Sequence, residues 1–173
     1  MTIEFAQIIS TSDQRPETTD PVPLIMDQND SISGVIHSVD HPTEIKFEES
    51  GTYVVIAAPQ VGKLSGDTTS YVDFWFRRNG KDIPNSNVRA TVETSRDKDV
   101  IVNQTMMNFS AGDVLNVMMA VSKVGEGLGV EAIKTDGRPL IPSIIFSLHK
   151  IKDSVQGHWV SAQKGTKKIW IES

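Results

Sequence analysis

The sequence predicts an all-β domain, an antiparallel sandwich or barrel, and three observations predict it. Short runs alternate apolar and polar residues with a period of two. Clusters of Gly, Asn, Asp, Ser and Pro punctuate those runs. No window of a dozen residues carries a capped 3.6-residue apolar repeat. Strict alternation marks a strand with one face on a core, and many short strands separated by turn signals mark a sandwich or barrel.

The elements follow in chain order. "IEFAQIIS" is apolar enough for a short strand or a helical turn, whereas "TSDQRPETTD" is polar and contains Pro16. Such a stretch cannot bury enough apolar surface to repay its ordering, so residues 1–21 are expected to be flexible or partly ordered, with the domain proper spanning 22–151. In "EIKFE", Ile45 and Phe47 share a face opposite Glu44, Lys46 and Glu48; in "VRATVE", Val88, Ala90 and Val92 oppose Arg89, Thr91 and Glu93. Asn79-Gly80 follows an aromatic run, and this pair accepts positive φ at both central positions of a hairpin turn.

The run "YVDFWF", residues 71–76, holds four of the chain's eleven aromatics. As a strand it turns Val72, Phe74 and Phe76 inward and Tyr71, Asp73, Trp75 and Arg77 outward. Arg77 and Arg78 end it with charge, a guard against edge-to-edge pairing. Trp75 stands on the wetter face, where it either packs under a neighbouring loop or, with Arg77, contacts a ligand.

Some strands are apolar on both sides. In "GTYVVIAAPQV", Tyr53, Val55 and Ala57 oppose Val54, Ile56 and Ala58. In "GDVLNVMMAV", Leu115, Val117, Met119 and Val121 oppose Val114, Asn116, Met118 and Ala120. "PSIIFSLHKI" sets Ile144, Phe146 and Leu148 against a face with Ile145 and Ile151. A two-layer sandwich covers one face of each sheet, and no helical segment is available for the other, so a partner subunit is expected. The Met106/Met107 and Met118/Met119 pairs are read as adaptable core rather than as a cofactor box.

Composition narrows the function classes. The chain has 173 residues, a formal charge of −5 and no cysteine. Disulfides, thiolate metal sites and cysteine nucleophiles are excluded. The charges are mixed, without the basic stripe of a nucleic-acid binder, and no apolar run is long enough for membrane insertion. The N-terminus lacks the basic and apolar regions of a secretory signal. No G-x-S-x-G, phosphate-loop or dinucleotide fingerprint occurs. His37 and His41 lie about 13 Å apart on an extended strand, too far for one metal ion, and Glu93, Asp97 and Asp99 fit a solvated loop better than a calcium site. No catalytic, cofactor-binding or metal-binding residue is assigned, and no enzyme is expected.

Taken in order, "GTYVVIAAPQV", the aromatic strand ending in "RRNG", "FSAGDVLNV" and "PSIIFSLHKI" resemble the tumour-necrosis-factor-like jelly rolls, in particular the globular head of the collagen-stalked complement subcomponent. The matching positions are Gly51, Tyr53, Asn79, Gly80, Gly112, Asp113 and Phe146, within residues 22–151. "FWFRRNGKDIPNSN" is also similar to segments of bacteriophage and marine viral structural proteins. The resemblance implies an antiparallel jelly roll of about ten strands that forms a homotrimer. Val54, Ile56 and Ala58, with Ile145 and His149 of the terminal strand, would face the partners near the threefold axis. It further implies a non-enzymatic structural or receptor-binding component of a virus particle or surface assembly, located on a virion or an extracellular surface. The alternative is a secreted or surface recognition module that binds a glycan or protein ligand through apical loops.

The chain departs from the family pattern in two respects. No collagen-like or coiled-coil stalk is read before the domain. Residues 152–173 continue past the family's usual last strand; they are expected to form a β-hairpin carrying Trp159 and Trp170, packed on an apolar face such as the one holding Met118.

Overall fold

Hydrogen-bonded strands remote in sequence lie side by side, and that pairing defines the architecture. The computed structural model describes residues 3–154, 157–161 and 168–172. The first sheet holds β1 (Phe5–Ser10), β3 (Gln28–Ser33), β6 (Gly51–Gly62), β10 (Asp99–Val100), β11 (Asn103–Phe109), β13 (Gly129–Val130) and β14 (Ile144–Asp153). The second holds β2 (Val22–Pro23), β4 (Val35–Ser38), β5 (His41–Phe47), β7 (Ser70–Arg78), β8 (Lys81–Asp82), β9 (Val88–Val92) and β12 (Val114–Val121). Across the first sheet the long strands run β11–β6–β14–β1–β3, and across the second β4–β5–β12–β7–β9. Those ten strands each have four or more residues. All pairings are antiparallel among the described residues, and the crossings from β6 to β14 and β14 to β1 give the jelly roll its Greek-key form.

The inward residues are those that alternation selects. Tyr53, Val55 and Ala57 of β6 are fully buried, as are Val72, Phe74 and Phe76 of β7 and Leu115 and Val117 of β12. Phe47 stacks on Phe109 with ring centroids 3.8 Å apart, and Tyr53 meets Phe47 edge-on at 4.8 Å. Burial of these side chains is worth about 1.5–3 kcal/mol each. The Tyr53 hydroxyl donates to the Glu49 carbonyl at 2.8 Å, and burial pushes its pKa up to about 12. Asn79 and Gly80 take φ of 49° and 77° as the β7–β8 turn requires. Asn79 also ties that turn to β12, donating to Asp113 and accepting from the Val114 amide.

Ahead of Val22, the described chain packs on the domain. β1 lies between β14 and β3 and sends Ala6 and Ile8 into the core. The polar stretch after it is fastened too, because the Gln14 backbone bridges Val130 and Arg15 pairs with the buried Glu131 at 2.8 Å. Glu4 is buried beside Lys150 (3.3 Å), which also pairs with Asp153 (2.8 Å). Gly34 at φ 70° makes room for Glu4; a Cβ there would stand 2.1 Å from the Glu4 Cγ. The charge of Lys150 offsets part of the cost of burying Glu4, whose Oε2 makes no hydrogen bond among the described residues.

In the tail, β15 (Gly157–Ser161) and β16 (Lys168–Glu172) pair with each other, Trp159 opposite Trp170. The turn between them and the side chains of the hairpin lie outside the described residues, and so does the expected packing on the Met118 face.

Candidate functional site

A sandwich has two outward faces, and the chain treats them differently. On the first sheet, the side chains that alternate away from the core are Gln104, Met106 and Asn108 of β11, Val54, Ile56 and Ala58 of β6, Ile145, Ser147 and His149 of β14, and Phe5 and Gln7 of β1. The register sets them in rows. Met106, Val54, His149 and Phe5 form one, and Ala58, Ile145 and Ile9 another. Between them lies the more polar row Gln104, Ile56, Ser147 and Gln7. Met106 is 66% exposed, Ile145 40% and Phe5 37%, while Val54, Ile56 and Ala58 are half-buried.

The structure therefore brings together the five residues that the sequence proposes as partner contacts. His149 lies opposite Val54 and Ile145 opposite Ala58, with Ile56 between those two rows. Two residues of the same face escape the sequence reading. Met106 points outward although the Met pair is expected in the core, which receives only Met107. The alternation Asn103, Thr105, Met107, Phe109 inward was the signal that could have separated them. Phe5 is missed because "IEFAQIIS" reads equally as a short strand or a helical turn, in a flexible or partly ordered segment ahead of the domain proper.

The outward face of the second sheet is built from charged pairs around aromatics. Trp75 donates from Nε1 to Asp82 Oδ1 at 2.8 Å, and Arg77 donates from Nε to the same oxygen at 2.7 Å. These bonds, Arg77 foremost, hold the Asp82 carboxyl below the usual carboxylate range. Arg89 grips both oxygens of Asp73 at 2.8 Å and lies over the Tyr71 ring, 3.7 Å from its centroid. Trp75 and Arg77, the two proposed ligand contacts, are thus joined through Asp82, a residue the sequence reading did not single out. Trp75 also explains part of the two-sided character of β12. It pairs in register with Met118, which is 1% exposed and has Pro23 as its partner on the other side.

His37 is buried, with Nδ1 2.6 Å from the Asn29 side chain and Nε2 3.2 Å from the Pro42 carbonyl, whereas His41 is exposed. Asp97 accepts from the Thr94 amide and closes its own loop; that bond holds its carboxyl below the ordinary range. Among the described residues, no three His, Asp or Glu side chains converge as a metal site.

No protein-family model and no curated protein matches the chain. Among solved structures it is similar to murine APRIL at pH 5.0, with a TM-score of 0.55 and 9% identity over 87% of this chain and 100% of that one. Murine APRIL at pH 8.0 gives a TM-score of 0.55 and 10% identity with the same coverage. At such identity the likeness speaks of fold, and the fold is a tumour-necrosis-factor-like jelly roll.

Proposed function

We propose that the chain is a non-enzymatic homotrimeric module, a structural or receptor-binding component of a virus particle or related surface assembly. The observation that carries this reading is the outward face of the first sheet, where exposed Met106, Phe5 and Ile145 flank the half-buried Val54, Ile56 and Ala58. Apolar side chains held side by side on a rigid sheet gain about 25 cal/mol for each Å² they withdraw from water. A second copy can supply that cover, because every subunit carries the same surface. Association and ordering costs take back much of the gain, yet the contact is rigid before it forms. Closure by three copies follows the jelly rolls that the sequence resembles, and the viral setting follows the likeness of "FWFRRNGKDIPNSN" to viral structural proteins.

Sedimentation equilibrium of the full chain tests the assembly. The expected mass is three times the 19.0 kDa of one chain. A twofold mass would keep the contact face and reject the threefold arrangement, and a persistent single chain at micromolar concentration would overturn both. The setting is tested by the gene's neighbours, which are expected to encode capsid or tail proteins.

A further inference from the structure

We propose that the cleft beside Trp75, on the outward face of the second sheet, binds a neutral pyranose sugar. The cleft measures about 330 Å³, and its wall includes Trp75, Ala120, Asp73, Asp82, Asn85 and Asn87. That volume sits at the small end of the range for ligand pockets, where a single sugar ring fits. It opens because β12 changes from a large outward side chain, Met118 opposite Trp75, to a small one, Ala120 opposite Asp73.

The rim is fastened before any ligand arrives. Ser86 is buried between the exposed Asn85 and Asn87. Its hydroxyl donates to the Ile83 carbonyl at 2.7 Å and accepts from the Phe76 amide at 3.1 Å. The buried Asn103 donates to the Ser86 carbonyl at 2.7 Å, from the opposite sheet. A loop pinned through its middle residue holds its two asparagines in place at little entropic cost on binding. Trp75 is fixed as well, since Asp82 holds its indole N–H.

The chemistry of the lining selects the ligand class. Asp73 is neutralised by Arg89, and Asp82 by Arg77, so an organic cation would gain little by displacing those partners. The two guanidinium groups are engaged by those carboxylates in turn, so the cleft presents no free cationic group to hold phosphate or another anion. What the cleft offers is an apolar indole, two amides that each donate and accept, and carboxylate oxygens as acceptors. A pyranose presents the complement, with axial C–H groups on one face and hydroxyls that both donate and accept around its edge. The site lies on the sheet opposite the proposed self-association face, so it stands or falls separately from the trimer.

The test is saturation-transfer-difference NMR on the full chain with the neutral methyl glycosides of glucose, galactose, mannose and N-acetylglucosamine, and with inorganic phosphate and tetramethylammonium as charged controls. At least one glycoside is expected to receive saturation, strongest on the C–H protons of one ring face. Trp75→Ala is expected to weaken it by about tenfold or more. Because Trp75 also lies against Met118, Asn87→Ala provides a variant at an exposed position, expected to weaken binding several-fold without disturbing the fold. Tyr71→Ala, outside the cleft, is expected to leave binding unchanged. The proposal is overturned if no glycoside binds at millimolar concentration, if a charged control binds in preference, or if Asn87→Ala and Trp75→Ala bind as the parent chain does.

Discussion

The two outward faces of this sandwich start from the same geometry and reach opposite chemistries. On β6 and β14 the outward side chains are mostly apolar in two rows, Ala58 with Ile145 and Val54 with His149, and Met106 and Phe5 extend the second. On β7 and β9 they are Asp73, Arg77 and Arg89, arranged as ion pairs around Tyr71 and Trp75. A sheet is free to choose what covers its second face, because that face does not decide whether the core forms. The first sheet's choice suits another protein surface. The second sheet's choice suits water, or a ligand that behaves like water at its edge and like hydrocarbon on its flat side.

Breaking the first face should give the largest effect. Val54→Glu or Ile56→Glu places a carboxylate among the apolar rows, and desolvating it without a partner costs several kcal/mol at each contact, of order ~3 or more. The expected result is a single-chain mass by sedimentation with an unchanged far-ultraviolet circular dichroism spectrum, since neither side chain enters the core. Removing a shared inward residue should be next. Phe74→Ala is expected to cost about 3–5 kcal/mol in urea unfolding, a loss arising between the sheets and so belonging to neither outward face.

A third prediction uses pH. Tyr53 titrates near 10 in the unfolded chain and at about 12 in the folded one. Between those values the unfolded chain has lost the proton that the folded chain retains, so the contribution is complete below pH 10 and fades as pH rises towards 12. Unfolding curves across that window should show the fall, and Tyr53→Phe should flatten it. The smallest effect is expected on the second face. Asp73→Asn disrupts an exposed ion pair, and such pairs are worth about 0–1 kcal/mol; neither melting temperature nor assembled mass should move appreciably. If Asp73→Asn dissociated the assembly while Val54→Glu did not, the roles of the two faces would be reversed.

Much of the fold was legible because alternation and turn chemistry are local. Val72, Phe74 and Phe76 read as inward and are fully buried, Asn79-Gly80 reads as a hairpin turn and is one, and the apolar second side of β6 is visible in its residues alone. The strand at residues 5–10 was harder to place. Its role depends on pairing with β14, about 140 residues away, and the polar residues that follow it look mobile until Gln14 and Arg15 find their partners. Asp82 was illegible for a similar reason. A lone acid after a turn looks solvated, and only the β7–β8 register brings it within reach of Trp75 and Arg77.

Methionine oxidation tests the contact face most directly. In an isolated subunit the Met106 thioether stands open to solvent, while Met118 is enclosed. After brief exposure of the assembled full chain to dilute peroxide, peptide mass spectrometry should find Met106 protected to nearly the degree of Met118, and Val54→Glu should abolish that protection. Rapid oxidation of Met106 in the parent chain, at the rate of a free methionine, would mean that nothing covers this face.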